Sequence, residues 1–348
     1  MRRKNILLVL TGGTICSFPN EKNERAADVK RAEALIVENF MKSGSPFSGK
    51  DCVIFHTESP LNVLSENMSI ESWNVLIDAL KKYDCSAYDG VIILHGTDTL
   101  AYTSSLLSIL FAGTKIPVFL VSSALPLTEE KTNGNANFRA AVELIMRGIN
   151  PNVYVVYRNY EISGENSKNA MYIHYGSRLL QCANHSDNFY SVGMTEIDEL
   201  SPRFDGESVR AGELLLYSCP RLFDCVLKIM PYVGINYERY SLDGVLAVMH
   251  GTYHSSTLCV NTDNAKSSAL TLLSRCKERG IPFFLEPCDA AAYSYETTGE
   301  ILRAGAEAIF KMTSEFSYVK LLLGACMGLS DSQLSEYMKR EINREFIY

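Results

Sequence analysis

Five consecutive apolar residues, Ile6 to Leu10, run straight into Thr11-Gly12-Gly13-Thr14. An unbroken apolar run of this length predicts a strand buried on both faces, as in a parallel sheet with helices on either side. The same pattern returns at Gly90 to Leu94, ending in His95-Gly96-Thr97-Asp98-Thr99, and at Pro117 to Ser122, ending in Ser122-Ser123. A fourth strand is predicted over Val153 to Tyr157. Between the strands, apolar residues at helical spacing predict helices over Val29 to Met41, Ser69 to Tyr83, Leu100 to Phe111 and Ala136 to Arg147. Cys16 to Asp28, with Pro19 to Glu24 all turn-forming or charged, reads as a mobile surface loop. Ser163 to Asn169 is rich in Ser, Asn and Gly. Thr195 to Gly212 is charged and weakly patterned, as a connection between domains would be. Strands restart at Val226 to Met230, Gly244 to Met249 and Ile281 to Leu285, and a Leu-rich helix closes the pattern near Tyr318 to Cys326. The alternation predicts an α/β protein with an N-terminal doubly wound, mostly parallel sheet over 1–194, a connection over 195–218 and a smaller C-terminal α/β domain over 219–348.

Composition narrows the function without choosing it. The chain has 348 residues, of which 47 % are hydrophobic and 21 % charged, enough to bury a sizeable core. A net charge of -7 and a pI near 5.5 argue against a nucleic-acid partner for the chain as a whole. The ten cysteines are scattered and form no C-x-x-C pair, which reads as reduced thiols in a cytoplasmic protein. No apolar run approaches the roughly 18 residues of a membrane span, so no leader and no membrane segment are expected. The six histidines form no ligand-like cluster, and no metal is expected. His250 and His254 flank a Gly-Thr-Tyr stretch and read as a turn at a strand end.

The candidate chemistry lies in the polar ends of the apolar strands. Glycines at 12 and 13 allow a sharp bend, so that Thr11 or Thr14 can present a hydroxyl at the carboxyl end of a strand, where open α/β sheets place their sites. The plainer alternative is a turn in which the threonines bond only local backbone. Thr97, Asp98 and Thr99 can likewise be no more than a helix cap. Two hydroxyl-bearing turns on adjacent strands are more specific than either one.

Thr11-Gly12-Gly13-Thr14-Ile15 and His95-Gly96-Thr97-Asp98-Thr99 resemble the two signature motifs of the bacterial-type L-asparaginase family, in its cytoplasmic form. The resemblance continues through Ser65-Glu66-Asn67-Met68 and Val121 to Pro126, and more weakly through the second half. It implies hydrolysis of L-asparagine to L-aspartate and ammonia through an acyl-enzyme on Thr14. Thr97 would be the second catalytic threonine and Asp98 part of its proton-transfer chain. Ser65 would bind the substrate carboxylate, Glu66 its amino group, and the backbone of Ser123 the amide. Backbone N–H groups, that of Thr97 among them, would hold the oxyanion. No cofactor is implied. A homodimer or homotetramer is implied, in which the second domain of one protomer closes the site of another, with Glu286 or Glu296 as candidates to reach across.

Three residues depart from the family pattern. Counting five from Gly176 puts Gln181 where the family has a lysine, and Lys168 lies in the preceding loop. The 16–28 stretch lacks the family's tyrosine; Phe18 is its only aromatic. Glu66 stands where many members carry Gln or Ser, and a carboxylate there can pair with an amino acid's ammonium. Two other functions fit these departures. One is a catalytically impaired binding or regulatory homologue. The other is the ammonia-producing subunit of a tRNA-dependent amidotransferase, which carries an additional domain before its Thr-Gly-Gly-Thr.

Overall fold

A computed structural model describes residues 2–22, 24–160, 170–209, 214–288 and 295–347. The chain forms two compact units, dividing between Cys219 and Pro220. The first begins with β1 (Lys4–Leu10), β2 (Ser17–Pro19), β3 (Arg25–Ala27), α1 (Val29–Met41) and β4 (Val53–Glu58). It continues with α2 (Ile70–Lys81), β5 (Gly90–Leu94), α3 (Leu100–Leu110), β6 (Val118–Val121) and α4 (Gly134–Arg147). β7 (Val153–Asn159), β8 (Ala170–Tyr175), β9 (Thr195–Ile197) and α5 (Leu215–Ser218) complete it.

Among the described residues the main sheet has seven strands in the order β4-β1-β5-β6-β7-β8-β9. It is parallel from β4 through β7, and β8 and β9 add an antiparallel edge. Alternation divides the strand residues between two covered faces. Ile6, Leu8, Leu10, Ile92 and Leu94 join one core with Ile36 and Phe40 of α1 and Phe138 of α4. Leu7, Val9, Val91 and Ile93 point the other way and are just as buried. Full burial of such a side chain is worth about 1.5–3 kcal/mol. Trp73 of α2 donates from its indole nitrogen to Thr103 of α3 at 3.0 Å. α3 is buried all round, and its serines return their hydroxyls to main-chain oxygens: Ser104 to Ala101, Ser105 to Ala101, Ser108 to Ser104.

Two expectations change. The 16–28 stretch, read as a mobile loop, contains an antiparallel hairpin in which Ser17–Pro19 pairs with Arg25–Ala27. Cys16, Ser17 and Phe18 are buried, and the Arg31 guanidinium lies 4.2 Å over the Phe18 ring, so burial outweighs the polar composition of the tip. The 195–218 segment, read as a connection, contributes β9 to the main sheet and α5 to the first unit. The 163–169 stretch and Lys168 lie outside the described residues.

The second unit contains β10 (Val226–Ile229), β11 (Ala247–Gly251), α6 (Ala269–Glu278), β12 (Phe283–Cys288), α7 (Glu296–Arg303), β13 (Glu307–Phe310), α8 (Ser314–Cys326) and α9 (Asp331–Lys339). Its strands run parallel in the order β10-β11-β12-β13. Val248, Phe283 and Leu285 pack with Leu272, Leu273 and Cys276 of α6 on one face. Among the described residues no helix is long and apolar enough to cross a membrane.

Candidate active site

Three neighbouring strands, β1, β5 and β6, end on the same edge of the main sheet. Thr11 is buried, and both its N–H and its hydroxyl donate to the Leu94 carbonyl, at 3.1 and 2.9 Å. That bond ties the first turn to the end of β5 and assigns Thr11 a structural part. The chain then meets Val63: Gly13 N–H donates to its carbonyl at 2.8 Å, and its own N–H donates to Thr11 at 3.1 Å. Gly13 has φ +77°, and a Cβ there would lie 2.2 Å from the Cα of Gly96. A Cβ on Gly96 would in turn lie 2.4 Å from Ser65 Cβ and Oγ. Only glycine at both positions permits this approach of two backbones with the Ser65 side chain against them. Thr14 and Thr97 are the residues that directly follow these two touching glycines.

Ser65 opens a short turn, Ser65–Asn67, and is buried. Its hydroxyl donates to Asp98 Oδ2 at 2.5 Å and accepts from the Asp98 N–H at 3.3 Å. Thr99 returns its hydroxyl to the Ser65 carbonyl at 3.0 Å. A short bond to a carboxylate is strong, so the 65 and 97–99 turns behave as one rigid piece. Thr14 and Thr97 are half-buried, and neither hydroxyl is hydrogen-bonded among the described residues. Glu66 is exposed beside Ser65. Ser123, buried at the end of β6, spends its hydroxyl on its own loop, on the Leu125 carbonyl at 2.5 Å and Asn133 Oδ1 at 3.1 Å. Its main chain is the part left to a ligand. Asn133 also accepts from the Ala124 N–H at 3.0 Å and donates to the Arg158 carbonyl at 2.9 Å.

Gln181 donates from its side-chain nitrogen to the Asp98 carbonyl. The residue reached by counting from Gly176 therefore sits against the Thr97-Asp98 turn. A cavity of about 270 Å³ opens there, bounded by Thr97, Asp98, Tyr157, Gln181 and the loop that follows. Tyr157 was missed in the sequence because it belongs to an apolar strand. It is fully buried, and burial pushes its hydroxyl well above the usual phenol range. Among the described residues no three or more His, Cys, Asp or Glu side chains are arranged to hold a metal ion.

His95 is fully buried and its Nδ1 lies 2.8 Å from the Gly96 carbonyl; burial pushes it down to about 4, so it stands as a neutral anchor. The second unit repeats this device at the end of β11: His250 Nδ1 lies 2.6 Å from the Gly251 carbonyl, Nε2 lies 2.7 Å from the Tyr237 hydroxyl, and burial pushes it down to about 4. His254 is exposed, whereas His250 is buried. Glu286, at the end of β12, is buried and pushed up to about 7 by burial, whereas Glu296 is exposed in the first turn of α7.

These groups give the two units different responses to acid. A histidine whose folded pKa lies below its unfolded value binds its proton in the unfolded chain first, so stability falls as pH drops below the usual 6.5. His95 and His174, the latter pushed down to about 3 by burial, both act this way in the first unit. Between pH 7 and 5 they together remove about 4 kcal/mol. In the second unit His250 removes about 2 kcal/mol, but Glu286 works in reverse. Its raised pKa gives stability present at low pH and lost as pH rises through about 7, so the two offset each other. Hydrogen exchange at β5 and β11, corrected for intrinsic rates, is expected to show protection at pH 5 falling much further in β5. Equal losses would refute the assignment.

A doubly wound sheet with two glycine-threonine turns in backbone contact at its carboxyl edge defines a hydroxyl-bearing α/β enzyme scaffold. The chain belongs to the asparaginase family, since residues 5–207 match the model of that family's N-terminal domain. An L-asparaginase of Thermococcus kodakarensis is 28 % identical over 350 residues, covering 97 % of this chain and 98 % of that one. A Glutamyl-tRNA(Gln) amidotransferase subunit of Methanococcus maripaludis is 32 % identical over 202 residues, covering 57 % of this chain and 44 % of that one. The solved structure of the thermostable L-asparaginase from Thermococcus kodakarensis superposes with a TM-score of 0.77 at 24 % identity, over 99 % of both chains.

Proposed function

We propose that this protein hydrolyses the side-chain amide of L-asparagine to L-aspartate and ammonia, with Thr14 as nucleophile. The observation that carries the reading is the contact of the Gly13-Thr14 and Gly96-Thr97 turns, locked to Ser65 through Asp98. The Thr14 oxygen adds to the amide carbon, and the C–N bond breaks as ammonia leaves with a proton drawn from the hydroxyl through Thr97 and Asp98. Water then cleaves the ester, releasing aspartate and restoring the hydroxyl. A threonine hydroxyl is weak near neutral pH, and this relay supplies its activation. Ser65 takes the substrate's α-carboxylate, Glu66 pairs with its ammonium, and the Ser123 backbone receives the amide. The Thr97 N–H contributes to the oxyanion site.

The same reading takes the chain to be cytoplasmic and to form a homodimer or homotetramer. All ten cysteines are free thiols, which supports a reducing compartment. A second reading is favoured by one residue: Gln181 carries no charge for acid-base work, as suits an amino-acid-binding homologue. Purified protein mixed with asparagine is expected to release aspartate and ammonia in equal amounts. Thermal stabilisation by asparagine without product would establish the binding homologue. Turnover of glutamine alone would point to an activity like that of the amidotransferase relatives.

A further inference from the structure

Cys225 and Cys326 stand 101 positions apart in the chain, yet their sulfurs lie 3.8 Å from each other. Both belong to the second unit, and the backbone holds each in place. Cys225 directly precedes β10, and its carbonyl accepts the N–H groups of Leu246 at 2.8 Å and Ala247 at 3.3 Å. Cys326 is the last residue of α8, the helix packed on β10. The sulfurs are thus about 1.8 Å short of a covalent S–S distance, a gap within reach of side-chain rotation. Their surroundings differ. Cys225 is buried, whereas Cys326 is partly exposed, its sulfur 3.8 Å from the carbonyl of the exposed Phe223. The hydrogen bond from Cys225 brings the Cys326 thiol down to about 7, and the same contact pushes Cys225 up. Burial does the reverse elsewhere, pushing Cys16 and Cys288 up to about 12 and Cys85 and Cys276 up to about 11.

We propose that Cys225 and Cys326 are a modification site, a thiol pair that hydrogen peroxide converts reversibly to a disulfide. The Cys326 thiolate attacks one peroxide oxygen: an S–O bond forms, the O–O bond breaks, and hydroxide leaves to take up a proton as water. Cys326 is then a sulfenic acid, oxidised by the two electrons that the peroxide has gained. The Cys225 sulfur attacks it. An S–S bond forms, the S–O bond breaks, and the oxygen departs as a second water with the Cys225 proton. A small dithiol restores both thiols by exchange. The link ties the end of α8 to the start of β10 and closes a loop that holds β10 to β13. No step draws on asparagine hydrolysis, so the inference stands apart from that reading.

Reduced protein treated with a small excess of hydrogen peroxide, alkylated and digested, is expected to yield a disulfide-linked peptide pair carrying Cys225 and Cys326 in mass spectrometry, with two of the ten thiols lost. Dithiothreitol should return both. Cys326→Ser is expected to abolish the link, and Cys225→Ser to leave on Cys326 a sulfenic acid that dimedone traps. Cys259→Ser, at an exposed cysteine, is the control and should link as the wild type does. The thermal midpoint of the oxidised protein is expected to stand about 5–10 °C above that of the reduced one, as closing a long loop in the unfolded chain does. The rise should be absent in Cys326→Ser. No linked pair under conditions that oxidise Cys259, or a pair joining either cysteine to a third, would overturn the proposal. So would an oxidised midpoint at or below the reduced one, since the sulfurs would then meet only in a distorted or unfolded chain.

Discussion

Replacing Thr14 with alanine is expected to lower aspartate release from asparagine by roughly 10⁴-fold or more, as loss of a covalent nucleophile does when the rest of the site still binds substrate. The folded protein should hardly register the change, because the Thr14 hydroxyl has no hydrogen bond among the described residues to lose. Thr11→Ala makes the opposite contrast. It removes a hydroxyl bonded to the Leu94 carbonyl at 2.9 Å and is expected to cost about 1 kcal/mol of stability while sparing most of the activity. Thr14→Ser keeps the attacking oxygen and should retain a measurable rate. The measurement is single-turnover aspartate formation alongside urea unfolding of each variant. If Thr14→Ala kept a tenth of the wild-type rate, the nucleophile would have to be sought elsewhere, with Thr97 the next residue to test.

The residues in this prediction could be found from sequence because their constraint is local. A strand of apolar residues, a glycine that must bend and a hydroxyl after it are contiguous at 10–14 and again at 94–97, so the pattern carries the geometry with it. The same holds for α1, whose limits of Val29 and Met41 follow from spacing alone. The hairpin at 17–27 was hidden because three-residue strands leave too few positions for alternation to register, and what fixes it is Phe18 under Arg31. Tyr157 was hidden for a different reason. In an apolar strand a tyrosine looks like core, and only the folded chain shows that it also lines the cavity beside Thr97 and Asp98. Gln181 stands between these cases: a count from Gly176 locates it, but its bond to the Asp98 carbonyl depends on the whole sheet closing.

Lys320 belongs wholly to the hidden class, and its replacement by methionine is expected to cost about 3–5 kcal/mol. It lies in α8 among Leu321, Leu322 and Leu323, where spacing says only that the helix is apolar. The structure buries it completely with Glu345, Nζ to Oε1 2.8 Å, and gives Nζ the carbonyls of Arg340 at 2.6 Å and Met338 at 3.2 Å. Glu345 in turn accepts the main-chain N–H groups of Ile342, at 2.9 Å, and Asn343, at 2.8 Å. The pair therefore fastens residues 340–345 to the underside of α8. Burial pulls the Lys320 pKa down, and the Glu345 carboxylate opposes that pull, so the partner is what makes the charge tolerable. Removing the lysine alone strands a buried carboxylate and two carbonyls. Glu345→Leu added to Lys320→Met removes the stranded charge, and the second substitution should cost at least about 1.5 kcal/mol less in that background than alone. It will not restore full stability, since Ile342 and Asn343 lose their acceptor in either case. Urea unfolding of the four proteins in this cycle, with limited proteolysis between 340 and 347, measures both effects. A single variant within about 1 kcal/mol of wild type, with that segment still protected, would show that the C-terminal turn is held by its apolar contacts and not by the ion pair.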